Sequence, residues 1–259
     1  MGKSKKAFFY QTRIILSVLL LYASLAEGQV KQTERLQQVW LGYLNQARLS
    51  ARWGLWADIH LRTKEEFFTN FSQTLFRTGL TYYLTDDVKL TAGYAFVNYF
   101  PDKGHLNISL QEHRPWQQIQ WHNRYRKLTL MQWFRLEERW RGNALSDNER
   151  APAFTFSFRA RYNFLLQFPL GKRKSGPNSY ALVANNEVMI NFGKSIVNNY
   201  FDQNRSFMGL NYQLTKRSTI QAGYLHIFQQ LQAGNKYKSI YIGRLYYYHT
   251  LDLRKSNNR

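Results

Sequence analysis

Residues 154–168 read Phe-Thr-Phe-Ser-Phe-Arg-Ala-Arg-Tyr-Asn-Phe-Leu-Leu-Gln-Phe. Phe154, Phe156, Phe158, Ala160, Tyr162, Phe164, Leu166 and Phe168 fall on one side of a period-two pattern. Thr155, Ser157, Arg159, Arg161, Asn163 and Gln167 fall on the other, with Leu165 the exception. Alternation of this kind belongs to a β-strand with one apolar and one polar face. The run is also longer than the five or six residues usual for strands of soluble proteins.

The same period recurs outward from this stretch. Trp53, Leu55, Ala57, Ile59 and Leu61 oppose Gly54, Trp56, Asp58, His60 and Arg62. Leu128, Leu130, Phe134 and Leu136 oppose Thr129, Met131, Trp133, Arg135, Glu137 and Arg139. Alternating segments are expected at 37–49, 52–63, 74–85, 88–99, 113–124, 127–140, 154–168, 179–191, 204–214, 219–229 and 238–251. Very short connections (50–51, 85–87, 125–126, 215–218) contrast with long polar ones (100–112, 141–153, 192–203). The pattern predicts an all-β fold, a transmembrane up-and-down antiparallel β-barrel. Single-chain bacterial barrels carry an even number of strands. Ten or twelve are therefore expected, twelve preferred: either one segment is miscounted, or residues 29–38 cross once more or fold into the lumen. An internal repeat supports the hairpin plan. Phe71–Tyr94 aligns without gaps onto Phe201–Tyr224 with 10 of 24 positions identical, both copies ending in Ala-Gly-Tyr.

The chain has 259 residues, a formal charge of +20, no Cys, and 7 Trp, 18 Tyr and 18 Phe, with a mean hydropathy of −0.52. Without Cys, disulfide scaffolds and Cys-based zinc or redox sites are excluded. The aromatic content argues against disorder. The only long apolar run is N-terminal. Lys3, Lys5, Lys6 and Arg13 precede the ten-residue core Ile14–Ala23, and small residues follow. Residues 1–28 are thus expected to be a signal peptide cleaved near Ala26 or Gly28, leaving a barrel domain over 29–259. Removing those four cations and Glu27 leaves +17, so the basic charge belongs to the barrel.

If the apolar faces meet lipid, the alternate positions line the lumen. The expected inward set is Asp58, His60, Arg62, Arg77, Gln118, Gln120, His122, Arg124, Arg135, Glu137, Arg139, Arg159, Arg161, Asn163, Asn185 and Glu187. Its seven arginines against three carboxylates make about +4, and arginine forks suit carboxylates or other anions. The role expected is a structural or accessory envelope barrel, or a small channel with an arginine-rich lumen. An enzyme acting on membrane lipids is an alternative, with His60, His122 and Ser157 as candidates, although no nucleophile motif is present. A secreted basic β-protein binding polyanions is another. No catalytic, cofactor or metal site is expected. Partners expected are outer-membrane lipids, other envelope proteins and small anions, with no nucleic acid. The basic runs Lys172-Arg173-Lys174 and Arg254-Lys255 would be drawn to phosphorylated lipid, or serve as solvated turns. The expected location is the outer membrane of a diderm bacterium of the Gram-negative type.

Several short stretches occur in a telling order. They are Arg77-x-Gly79-Leu80-x-Tyr82, Glu112-His113-Arg114-Pro115-Trp116-Gln117-Gln118, Arg135-Leu136-Glu137-Glu138-Arg139-Trp140, Arg159-Ala160-Arg161-Tyr162, Pro169-Leu170, Asn186-Glu187 and Asn204-Arg205. Over about 35–251 the chain resembles the outer-membrane barrels grouped as domain-of-unknown-function family 2490 (DUF2490). The resemblance implies an outer-membrane β-barrel and supplies no established activity.

Overall fold

The computed structural model describes residues 31–64, 67–68, 70–173 and 175–254. The barrel strands belong to the compact unit Thr33–Arg259, which Gln32 at the start of β1 precedes. The expected signal over 1–28 lies outside the described residues, as do Lys174 and Lys255 of the two basic runs.

Eleven strands are found among the described residues: β1 (Gln32–Arg48), β2 (Trp53–Thr63), β3 (Phe71–Tyr83), β4 (Val88–Tyr99), β5 (Leu110–Arg124), β6 (Thr129–Ala144), β7 (Arg150–Leu170), β8 (Ser179–Phe192), β9 (Phe201–Gln213), β10 (Ser218–Gln230) and β11 (Lys236–Asp252). Each pairs with the next in antiparallel register, and the order closes into a barrel with β1 beside β11. All eleven expected segments form strands. β6 and β7 continue as a hairpin past their expected ends, reducing the expected 141–153 loop to 145–149.

The expectation of ten or twelve strands is corrected. An even count is needed only where every neighbour is antiparallel. Here β1 and β11 are separated by ten reversals, so they run the same way, and one parallel seam lets an odd number close. Contacts along the seam rise together. Tyr43 Oη lies 3.0 Å from His249 Nδ1, and, five residues on from Tyr43 and four on from His249, Leu253 N–H donates to Arg48 O at 2.8 Å.

Alternation sends the two faces of each strand to opposite sides. On β2, Trp56, Asp58 and His60 are buried while Trp53, Leu55 and Ile59 are exposed. On β7, Arg159, Arg161 and Asn163 are buried while Phe154, Phe156, Tyr162 and Phe164 are exposed. The barrel therefore turns large apolar side chains outward and charged ones inward: Ile59 is 53% and Phe76 52% exposed, against 2% for Asp58 and 1% for Glu137. Outward aromatic rings pair near both ends of the strands. Trp53 meets Tyr82 (4.9 Å between centroids) and Tyr180 meets Tyr212 (4.8 Å) toward the short turns. Trp140 meets Phe156 (4.6 Å) and Phe158 meets Phe192 (5.2 Å) toward the longer loops.

The internal repeat has a packing explanation. Its two hairpins place glycine opposite glycine, Gly79 against Gly93 and Gly209 against Gly223. A Cβ at Gly93 would stand 2.9 Å from the Trp116 ring, and one at Gly223 2.9 Å from the Phe207 ring. Each glycine pair clears the inner wall so that an aromatic ring can lie against bare backbone. Phe207 joins an interior apolar cluster with Trp40, Val183, Leu225, Ile227, Ile240, Ile242 and Tyr246. Trp116 packs with Trp56 and Ala95.

Gly209→Ala would put a methyl 2.3 Å from the Ala222 carbonyl and 2.6 Å from the Phe207 ring. Overpacking of this kind costs about 1–3 kcal/mol. Gly243→Ala, whose nearest neighbour is Val39 at 4.0 Å, is the control and should be close to neutral. Urea unfolding followed by tryptophan fluorescence checks this; equal midpoints for the two variants would contradict the packing account.

Candidate functional site

The inward faces of β5 to β9 build a ladder of carboxylates, each held by arginines from its own strand or from one or two strands away. Glu112 (β5) accepts from Arg114 Nε at 2.8 Å and Arg139 Nε at 2.7 Å, and from Tyr99 Oη at 2.8 Å. Glu137 (β6) accepts from Arg159 Nη2 at 2.6 Å and Arg161 Nη1 at 2.5 Å. Arg161 continues to Glu187 (β8) through its Nε at 2.7 Å, and Arg159 to Asp202 (β9) through its Nη1 at 2.8 Å. Arg135 instead gives two bonds to Gln118 Oε1, at 2.9 and 2.6 Å, and lies 4.4 Å from the Trp116 ring centroid. Paired guanidiniums and carboxylates recover by short, charge-assisted bonds what they lose in leaving water.

A second, smaller group sits on β2 and β3. Asp58 accepts from Trp56 Nε1 at 2.5 Å. Arg77 Nε and His60 Nε2 stand 3.3 and 3.1 Å from its oxygens, at ion-pair distance without hydrogen-bond alignment. The His60 ring lies 5.1 Å from that of Tyr246.

These groups surround an interior cavity of about 710 Å³. Residues of the longer loops line it, Asp102, Gly104, Ser195, Asn199 and Gln232 among them, so it reaches the long-loop end of the barrel. Among the described residues, none from the connections at the other end, 49–52, 84–87, 125–128, 171–178 or 214–217, lines it. Toward that end polar side chains meet across the interior, as where Lys89 (β4) donates to Gln46 Oε1 (β1) at 2.6 Å. Ten arginines and Lys238 line the cavity against Asp58, Asp102, Glu187 and Asp202. With Glu112 and Glu137 buried behind them, five positive charges remain in surplus.

Of the expected inward set, Asp58, His60, Arg62, Arg77, Gln120, Arg135, Arg139, Arg159, Arg161, Asn163, Asn185 and Glu187 line this cavity, and Gln118 and Glu137 are buried beside it. His122 is half-buried near the short-turn end, with Nδ1 3.4 Å from Asp87 O. Arg124 is placed differently: at the end of β5 it is largely exposed and pairs with Asp87 at 2.9 Å. Ser157 and His60 both line the cavity, on β7 and β2, and among the described residues no hydrogen bond joins them.

Eight charged residues at the cavity were not in the expected set: Asp102, Glu112, Arg114, Arg141, Asp202, Arg205, Lys238 and Arg244. Glu112 and Arg114 continue the alternation of Gln118 and Gln120 backward, and a strand start placed at 113 hid Glu112. Asp202 is inward against its alternation. Met189 pairs with Gln203 and Ile190 with Phe201, so a bulge leaves Asp202 unopposed and turns both it and Gln203 inside. Bulges re-aim side chains in this way.

Comparison with known proteins gives one match. A family model described as a protein of unknown function (DUF2490) matches residues 37–238. No curated protein and no solved structure matches the chain.

Removing Glu137 would leave Arg159 and Arg161 short of a buried partner, a loss of about 3–5 kcal/mol for this type of change. Glu34, 3.8 Å from both Lys103 and Lys238 and well exposed, is the comparison. Its loss should cost no more than about 1 kcal/mol. Unfolding midpoints of Glu137→Ala and Glu34→Ala measure the difference, and similar values would show that the ladder does not hold the barrel.

Proposed function

For this chain, which belongs to the DUF2490 family of proteins of unknown function, we propose a role as an outer-membrane β-barrel whose cation-rich interior receives anionic solutes from the long-loop side. The observation that carries the reading is the reversal of faces. Leu55, Ile59, Phe76, Leu80 and Phe134 stand outward while Glu112, Glu137, Arg159 and Arg161 are buried. In water such a surface is costly, at about 25 cal/mol per Å² of apolar area. Against hydrocarbon it is the favourable arrangement, and strands of 11 to 21 residues exceed the about 9–11 needed to cross. Aromatic pairs near both strand ends match the girdles of membrane barrels. The expected signal over 1–28 would direct export.

Two features support a recess over an open pore: the cavity reaches the long loops, and none of the described residues in the connections at the other end lines it. Its cationic surplus favours anions over cations at the mouth. The ion-pair ladder serves as internal bracing, so the structural role and the recess are parts of one reading.

Three measurements test it. The expressed protein should fractionate with outer membranes and insert into vesicles, and Ile59→Arg should impair insertion, since a cation on the lipid face costs about 2–4 kcal/mol near the midplane. A wild-type chain that stays monodisperse in water without detergent would overturn the membrane assignment. Planar bilayers holding the protein should show no steady conductance. Pyrophosphate at fixed ionic strength should raise the thermal midpoint of unfolding, and an unchanged midpoint would contradict an anion-accepting interior.

A further inference from the structure

The arginines of the cavity are held in two different ways. On β5 to β7, Arg114, Arg139, Arg159 and Arg161 each have a carboxylate oxygen within 2.8 Å. Across the cavity, Arg62 (β2), Arg205 (β9) and Arg244 (β11) rest on aromatic rings and amide oxygens. Arg62 lies 3.6 Å from the Trp40 ring centroid, and the Gln73 amide, oriented to accept, faces its Nε at 3.2 Å and also its Nη1, leaving Nη2. Arg205 lies 5.1 Å from the same indole and donates to Gln203 Oε1 at 2.9 Å. The carboxylate paired with it among the described residues, Glu187, is 3.8 Å away and already binds Arg161. Arg244 lies 3.4 Å from the Phe207 ring centroid and donates from Nη2 to Gln221 Oε1, while its buried Nε has no partner among the described residues.

Around these arginines the wall is apolar. Leu225, Ile227, Ile240 and Tyr246 line the same cavity and belong to the interior cluster that contains Trp40. A stacked guanidinium whose other N–H groups meet only neutral amides keeps its remaining N–H groups and its full charge for an oxyanion. A small hydrated ion would fill the space between the forks and leave the aliphatic wall facing water. A neutral apolar molecule would cover the wall and leave the cations unanswered.

We propose that Arg62 and Arg205, flanking Trp40, form a subsite for an organic anion: a carboxylate or phosphate group held by the two forks, with an apolar body lying on Leu225, Ile227 and Ile240. This rests on the reading of the interior as an anion-accepting recess and names the class of solute it takes. Arg244, on the same wall, adds to the field without sharing the indole.

The test uses the full-length barrel purified in a neutral detergent. Phenyl phosphate, benzoate, inorganic phosphate and phenol are titrated in turn, followed by calorimetry and tryptophan emission. Phenyl phosphate and benzoate should bind, inorganic phosphate about tenfold more weakly or worse, and phenol not at all. Arg62→Gln and Arg205→Gln should each lose about tenfold or more for phenyl phosphate, whereas Arg124→Gln, on the exposed end of β5, should match wild type. Arg62→Lys keeps the charge without the fork and should fall between; it remains informative if the glutamine variant does not fold. Failure of both aromatic anions to bind, equal affinity for inorganic phosphate, or undiminished binding in the folded Arg62 and Arg205 variants would overturn the subsite. If pyrophosphate still stabilises the protein in that case, the subsite alone is wrong and the recess stands.

Discussion

Glu137 sits in the barrel wall with 1% of its surface exposed and two arginines from the next strand closing on it. That pairing depends on register, because β6 and β7 place Glu137 opposite Arg159 and Arg135 opposite Arg161. A slip of one residue would turn Phe158 and Tyr162 inward and send both arginines out. Misregistered pairing thus meets two penalties at once, a charge without its partner and an aromatic ring on the wrong side. The same two penalties recur from β5 to β9, so the ion-pair ladder specifies which face of each strand is inside. The long alternating run at Phe154–Phe168 is the sequence form of this constraint.

Once the faces are assigned, the interior separates by strand. Carboxylates arrive mainly on β5, β6, β8 and, through a bulge, β9, with Asp58 alone on β2. Aliphatic and aromatic side chains arrive mainly on β1, β10 and β11. Glycine pairs in two hairpins admit Trp116 and Phe207, giving the arginines aromatic faces to rest on. Bracing and binding can therefore occupy different walls of the same cavity. The arginines that meet carboxylates hold neighbouring strands together, and those that meet rings keep forks available to a solute.

The strands were legible because period-two alternation over ten or more residues has few other readings. Eleven segments were visible in sequence. The error came from setting that count against the even-number regularity of bacterial barrels, which holds for antiparallel closure and not for a parallel seam between β1 and β11. Much of the interior set was legible for the same reason, wherever one face was charged and the other apolar. Arg124 was misjudged because alternation continues to the end of a strand while burial does not. Arg205 and Arg244 were missed because their inward faces also carry Phe207, Ile240, Ile242 and Tyr246, leaving no contrast to read. Asp202 was out of reach, since a bulge reverses alternation locally and depends on pairing with β8. The ion pairs themselves, such as Arg159 with Asp202, join residues far apart in sequence and follow from register alone.

The central claim is that the apolar faces meet lipid and the charged faces do not. The chain has no Cys, so single cysteines along 154–168 report one position each. After insertion into vesicles, each is labelled with an environment-sensitive fluorophore and quenched by brominated lipid. Expected is a period of two, with quenching strong at positions 156, 158, 162 and 164 and weak at 155, 157 and 163. Uniform quenching, or the opposite phase, would contradict the claim.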